Sequence, residues 1–441
     1  MASSARVSPA RTAAFDVLLR VETHDSYAPE LLHSNLLTAL NQADRGLATE
    51  LVMGVLRWQQ KLDQVVEAAA GKSIGRFDVE VKLALRLGAY QLLYLDRIPP
   101  RAAVNESVEL VKLHAKRSAA PLINAVLRKL SKEPLDSLLK KQSAGNLARV
   151  YSHPAWLVER WTKMYGSEAA RAICEHNQKR PQTTVRASSP ALLEELARAG
   201  ISLEPAFLVA HAWQVKDGNV TETRAYHERR LAVQDEASQL VALLAEGKTI
   251  LDCCAAPGGK SAIAAERNPS ARVVSMDLHL HRVRLMRRLS RLPAVVADAR
   301  QLPFDQQFDC IIADLPCTGT GTLARNPEIK WRLQADDLPR LAQLQFEILN
   351  SIGKQARRIV YSTCSLEPEE GEDVVSKFLA AHPSFRLTPV QTRLQQLSEE
   401  GSIRTDAIGG LVKDNFLRTV PGIHPCDGFF AAILERTTNR N

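Results

Sequence analysis

Two cysteines in this sequence stand where a nucleophile could work. Cys364 lies in Tyr361-Ser-Thr-Cys364-Ser-Leu-Glu-Pro-Glu-Glu370, between the apolar run Arg358-Ile-Val360 and an expected helix start at Pro368. Cys317 lies in Asp314-Leu-Pro-Cys317, directly after the apolar run Cys310-Ile-Ile-Ala313. Short apolar runs of this kind read as buried strands, so both thiols are expected at the mouth of one sheet. A thiolate there is a strong nucleophile, and the positive end of a helix beginning at Pro368 would favour it. Glu367, Glu369 and Glu370 pull the other way. The carboxyl group of Asp314 would emerge at the same edge, where it could share a proton with a reacting group if burial raised its pKa.

The elements that must position these groups follow a strand-and-helix alternation from about residue 231, which indicates a doubly wound α/β, Rossmann-like domain. Thr249 to Ser261 runs from a buried strand through Cys253, Cys254, Ala255, Ala256, Pro257, Gly258 and Gly259 to Lys260 at a helix start. The two glycines allow a ligand to approach the backbone closely. The turn is not the glycine pattern of a dinucleotide site. One βα unit later Asp277 ends a second strand, where a carboxylate can bond ribose hydroxyls. Asp298 follows a third strand, Ala294-Val-Val296, and could meet an adenine amino edge. Each lone aspartate reads more readily as a cap or turn residue; their recurrence at successive strand ends reverses that and favours a binding role. Lys260 could pair with Asp314, meet a substrate phosphate, or only be solvated.

The 441 residues exceed what one hydrophobic core usually serves. Residues 1–140 read as helix after helix and form an all-α domain. Residues 141–230 form a small α+β connecting module, with Thr183-Thr-Val-Arg-Ala187 as a strand and Leu192 to Ala199 as a short helix closed by Gly200. Residues 231–437 form the α/β domain. The formal net charge of +8 suits a polyanionic partner but does not require one. Arginines 282, 284, 287, 288 and 291 crowd the helix after Asp277, as a solvated face or an RNA-backbone contact. Seven cysteines without a disulfide spacing suggest reduced thiols and a cytoplasmic protein. Cys174, Cys310 and Cys426 read as core thiols. No Cys/His spacing suggests a metal. No uninterrupted apolar stretch reaches the ~18 residues that a membrane span needs.

The stretches Leu251-Asp-Cys-Cys-Ala-Ala-Pro-Gly-Gly-Lys260, Asp314-Leu-Pro-Cys317-Thr-Gly-Thr-Gly321, Asn326-Pro-Glu-Ile-Lys-Trp331 and Tyr361 to Glu370 resemble, in order, the RNA cytosine-5 methyltransferases that use S-adenosyl-L-methionine. The closing Asp427-Gly-Phe-Phe-Ala-Ala-Ile-Leu434 is similar to the last hairpin strand of that catalytic domain. In front, Asp44-Arg45, Glu50-Leu51, Gly54 and Leu56-Arg57 resemble a NusB-like RNA-binding domain, which makes the whole chain similar to the RsmB (Fmu/Sun) group. The middle module would then be RRM-like.

The resemblance implies methyl transfer to carbon 5 of a cytosine in 16S rRNA, free or in an early small-subunit assembly intermediate. Cys364 would add to carbon 6, Cys317 would assist elimination, and Asp314 would serve both the base and the cofactor. Cys254, Ala255, Ala256, Pro257, Gly258, Gly259, Lys260, Asp277, Asp298 and Asp314 would bind the cofactor. The protein is expected to act as a monomer. Methylation of tRNA or another RNA and a non-catalytic ribosome-assembly factor are the competing readings. Leu315, Thr318, Gly371 and Cys253 depart from the usual family wording. Gly371 is expected to loosen the following helix and Leu315 to reshape the base pocket.

Overall fold

The computed structural model describes residues 7–24, 26–133, 146–404 and 408–437. The expected boundary at residues 140 and 141 falls outside them. The chain divides into two compact units, one comprising Met1–Arg180 with Leu323–Arg332 and the other Pro181–Thr322 with Leu333–Asn441. No described helix is long and apolar enough to cross a membrane.

The first unit is helical. Pro9–Thr23, Gln42–Ala70, Val79–Tyr94, Pro100–Leu113 and Ala120–Leu130 bury one shared apolar core. Pro100–Leu113 and Ala120–Leu130 are separate helices, because Ala115 adopts φ 60° between them and Pro121 stands in the first turn of the second. Gly54 is required by packing, since a Cβ there would lie 1.9 Å from the Tyr90 ring. Leu323–Arg332 is built into this unit. Lys330 is buried and its Nζ donates to the Arg57 carbonyl at 2.9 Å; Trp331 Nε1 donates to the Leu56 carbonyl at 2.6 Å. Arg57 in turn donates to the Ala324 carbonyl at 3.2 Å. The Asn326 to Trp331 stretch is therefore held by the same helix residues that carry the NusB-like pattern.

The second unit contains two sheets. The smaller is antiparallel, built from β1 (Thr184–Arg186), β2 (Ser202–Pro205), β3 (Ala212–Asp217) and β4 (Ala232–Val233) in the order β2-β3-β1-β4. Ser189 caps the helix Pro190–Arg198, and Gly200 at φ 79° turns the chain away from it. Val233 pairs with Val185 in the sheet, and the next helix begins at Glu236, capped by the Asp235 carboxylate.

The larger sheet has nine strands among the described residues. They are β5 (Thr249–Asp252), β6 (Arg272–Asp277), β7 (Ala294–Val296), β8 (Phe308–Asp314), β9 (Ala356–Thr363), β10 (Phe385–Thr388), β11 (Val412–Lys413), β12 (Phe416–Thr419) and β13 (Phe429–Arg436). Their order is β11-β12-β13-β9-β8-β5-β6-β7, with β10 also on β13. Strands β5 to β9 are parallel, and β13 runs antiparallel to β9. Ile250, Ile312 and Val360 face one core while Leu251, Ile311 and Ile359 face the other. That alternation, buried on both faces, is what a parallel sheet between helical layers requires. The chain reverses its strand order at β5, between β6 and β8. The carboxyl ends beside such a switch point form a crevice open to ligands.

Candidate active site

The glycine turn, Asp314 and Cys364 meet at that crevice. A cleft of about 250 Å³ is lined by Asp252, Cys254, Ala255, Ala256, Pro257, Gly259, Lys260, Asp314 and Cys364, closed at its sides by Gln234, Ser238, Thr322 and Phe429. Parallel pairing aligns Asp314 with Ser362, so the residues following β8 and β9 turn toward one point. Cys317 Sγ and Cys364 Sγ lie 3.4 Å apart, and both thiols are free. The hydrogen bond to Cys364, burial, and the negative charges of Glu370 and Asp314 push the Cys317 thiol well above its ordinary pKa. Of the two thiols, Cys364 is the one that lines the cleft.

Lys260 Nζ donates to Asp314 Oδ2 at 2.6 Å and to Ser238 Oγ at 2.8 Å. Ser362 Oγ donates to the other oxygen of Asp314 at 2.8 Å. Of the partners considered for Lys260, the structure shows Asp314. Burial opposes the lysine's charge, yet attraction to Asp314, Asp252 and Cys364 outweighs it and holds the ammonium above its usual range.

Gly258 adopts φ 105°, a backbone that an L side chain rarely takes, and stands at the start of helix Gly259–Arg267. At Gly259 a Cβ would come 2.7 Å from Gln234 Oε1. The space freed by this glycine is filled by the Gln234 amide, a residue that the sequence did not single out. Asp252 was also missed as a site residue. Its Oδ2 accepts from Ser261 Oγ at 2.6 Å, and burial raises its pKa to about 7. Asp252 and Gln234 line the cleft, and their Oδ1 and Oε1 atoms are buried with no hydrogen-bond partner among the described residues. Two buried acceptors without donors fit a ligand that carries donors, such as an ammonium group.

Asp277 and Asp298 lie off the lining of the cleft. Asp277 ends β6 and accepts from the backbone N–H groups of Ala256, at 3.4 Å, and His279, at 3.0 Å. Asp298 is tied to Arg300 at 2.7 Å, which holds its carboxyl below the usual range. Leu315 is buried in the core of the sheet rather than facing the cleft. Gly371 packs against Phe430 at the start of helix Glu372–Ala381, so it allows a close approach there. Cys174, Cys310 and Cys426 are buried.

Comparison with known proteins places this geometry. A family described as "16S rRNA methyltransferase RsmB/F" matches residues 240–435. The NusB family matches residues 8–132, and a ferredoxin-like domain of RsmF/B-like methyltransferases matches residues 153–220. "Probable ribosomal RNA small subunit methyltransferase B" of Bacillus subtilis is 35% identical, with 97% of this chain and 98% of that protein aligned. "Ribosomal RNA small subunit methyltransferase B" of Vibrio cholerae is 35% identical over 91% of this chain and 93% of its own. Among solved structures, PH0851 superposes with a TM-score of 0.77 at 22% identity, covering 98% of this chain and all of that one. NSun6 from Pyrococcus horikoshii, solved with SFG, gives 0.54 at 19% identity, covering 65% of this chain and 99% of its own. These two share the fold. With a NusB-type helical domain, a ferredoxin-like module and a Rossmann-like catalytic domain in one chain, and close relatives aligned nearly end to end, this protein belongs to the RsmB/F family of 16S rRNA methyltransferases.

Proposed function

We propose that this chain transfers a methyl group from S-adenosyl-L-methionine to carbon 5 of a cytosine in 16S rRNA, in the cytoplasm, through a covalent bond between Cys364 and carbon 6. The observation that carries the reading is the pair of sulfur atoms 3.4 Å apart, with Cys364 on the wall of the cleft beside Lys260 and Asp314. The sulfonium donor supplies an electrophilic methyl group. Asp252 and Gln234 would offer acceptors to its ammonium end, and the turn from Cys254 to Gly259 would hold it. Asp277 and Asp298 are assigned to its nucleoside, from their places at successive strand ends.

Carbon 5 of cytosine is a poor nucleophile until carbon 6 carries a thiolate, which makes the ring enamine-like. Cys364 supplies that thiolate. Asp314 shares a proton with N3 and the exocyclic amine as electrons enter the ring, and Lys260 keeps it placed. After transfer, the proton on carbon 5 passes to a solvent base, its electron pair re-forms the double bond between carbons 5 and 6, and Cys364 leaves carbon 6 as a thiolate, with Cys317 assisting this elimination. A base held in a duplex must first be flipped or offered from a loop.

The test is methylation with labelled S-adenosyl-L-methionine of unmodified 16S rRNA, tRNA and duplex DNA, with 5-methylcytosine mapped afterwards. Label in a single cytosine of 16S rRNA is the expected result. Label confined to tRNA would move the substrate, and absence of label from every RNA would overturn the reading in favour of a non-catalytic RNA-binding factor.

A further inference from the structure

Behind the two thiols lies a carboxylate that the proposed chemistry does not use. Glu370 is 0% exposed, and its side chain points into the junction of the loops that carry Cys317 and Cys364. One carboxylate oxygen accepts from the Thr318 backbone N–H at 2.9 Å and from Gln345 Nε2 at 3.1 Å. The other accepts from the Thr318 hydroxyl, and the Ser365 hydroxyl donates to the same carboxylate. The Glu370 carbonyl accepts from the Tyr361 hydroxyl at 2.6 Å and from the Thr363 hydroxyl at 3.3 Å. Gln345 Nε2 also donates to the Pro316 carbonyl at 2.8 Å.

The partners bracket both cysteines. Pro316 and Thr318 flank Cys317; Thr363 and Ser365 flank Cys364. Glu370, directly and through Gln345, holds all four. Thr318 Oγ1 and Ser365 Oγ lie 3.1 Å apart, both turned to the same carboxylate. Two backbone bonds also join the cysteine loops, from Leu315 N–H to the Ser362 carbonyl at 3.0 Å and from Gly321 N–H to the Cys364 carbonyl at 2.9 Å, and the side-chain bonds to Glu370 add to these in setting the separation of the sulfurs. A buried carboxylate with four donors has little freedom to move, whereas a surface glutamate would leave the loops independent.

We propose that Glu370 is the positioning residue that clamps the Cys317 and Cys364 loops in register and so fixes the two sulfurs at the separation the reaction needs. The inference rests on the reading of these thiols as a working pair. Glu370 touches no substrate; it acts through Thr318, Ser365 and Gln345. Burial raises its carboxyl pKa against the pull of its donors, and its charge in turn helps keep the proton on Cys317.

The test uses the full chain and phenylarsine oxide, a trivalent arsenical that bonds two thiols only when they are close together. Capture that is lost in C317S reports this pair and excludes the neighbouring Cys253 and Cys254. In E370A the capture rate and the single-turnover methylation rate are each expected to fall about tenfold or more, with affinity for S-adenosyl-L-methionine unchanged. In E370Q, whose amide can still accept from Thr318 N–H and Gln345, both rates are expected within about threefold of the unaltered chain. If E370A does not fold, Thr318→Val removes one tie alone and should slow capture several-fold. Unchanged capture in E370A, or in T318V where E370A is unfolded, overturns the clamp. So does E370Q behaving like E370A. Capture needs no RNA, so it reads the clamp even if methylation of RNA were to fail.

Discussion

Cys317 Sγ and Cys364 Sγ stand 3.4 Å apart although they are 47 positions apart in the chain. The separation is far longer than the ~2.05 Å of a disulfide, so these are two thiols in contact. Parallel pairing of β8 with β9 brings their loops to one place, and the Glu370 network sets the last ångströms.

The first prediction follows from their unequal places. Cys364→Ala should abolish methyl transfer and leave no RNA attached to protein on a denaturing gel. Cys317→Ala should accumulate an RNA-protein adduct that survives denaturation, because attack proceeds and release does not. An adduct trapped by the Cys364 variant instead would exchange the two roles.

Asp252 gives cofactor binding a pH dependence. In the free protein its carboxyl titrates near pH 7, far above the unperturbed carboxylate value of 3.8. Between those values the folded chain holds a proton that the unfolded chain has lost, so this group makes the ligand-free protein less stable as pH rises toward 7. A ligand ammonium favours the ionised form. Affinity for S-adenosyl-L-methionine should therefore tighten by up to about tenfold per pH unit below 7 and level off above it. Calorimetric titrations from pH 5.5 to 8.5 should show this rise, and Asp252→Asn should bind weakly with a flat profile.

At Gly321 the backbone of the Cys317 loop passes against Gly428. A Cβ at Gly321 would lie 2.1 Å from the Gly428 carbonyl oxygen, and backbone rather than a flexible side chain is the obstacle. Gly321 also donates its N–H to the Cys364 carbonyl at 2.9 Å. Gly321→Ala should cost about 3 kcal/mol in urea unfolding, the upper part of the range for overpacked cores. It should also slow methyl transfer, since relief of the clash must move one of the two cysteine loops.

Lys330 predicts a pH dependence in the helical unit. Burial, aided by the neighbouring charge of Arg57, pushes its ammonium pKa well below the ordinary lysine value. Between its folded and unfolded pKa values the unfolded chain binds the extra proton, so stability rises with pH across that window. The contribution is at most about 1.4 kcal/mol per pH unit. Lys330→Met should remove it. Comparing the pH slopes of urea unfolding for the two proteins between pH 7 and 9 isolates this group from the cysteines that titrate nearby.

Much of the catalytic unit was legible in the sequence, because strands buried on both faces leave short apolar runs and four of the five parallel runs here end in a residue of chemical character. Asp252, Asp277, Asp314 and Thr363 close four strands of the sheet, so the succession of β5, β6, β8 and β9 along the chain was legible in local pattern, and their order across the sheet was not. The glycine turn and the two cysteine stretches were visible for the same reason. The sequence could not show that Gln234 fills the space at Gly259, that burial would bring the Asp252 carboxyl near neutrality, or that Glu370 would bind residues on both sides of both thiols. Nor could it show that Leu323–Arg332, read as part of the catalytic stretch, is packed among the helices around Arg57. Local pattern records which residues alternate and where a strand ends. Burial, hydrogen-bond partners and the separation of Cys317 from Cys364 depend on segments far apart in the chain, and only packing brings those segments together.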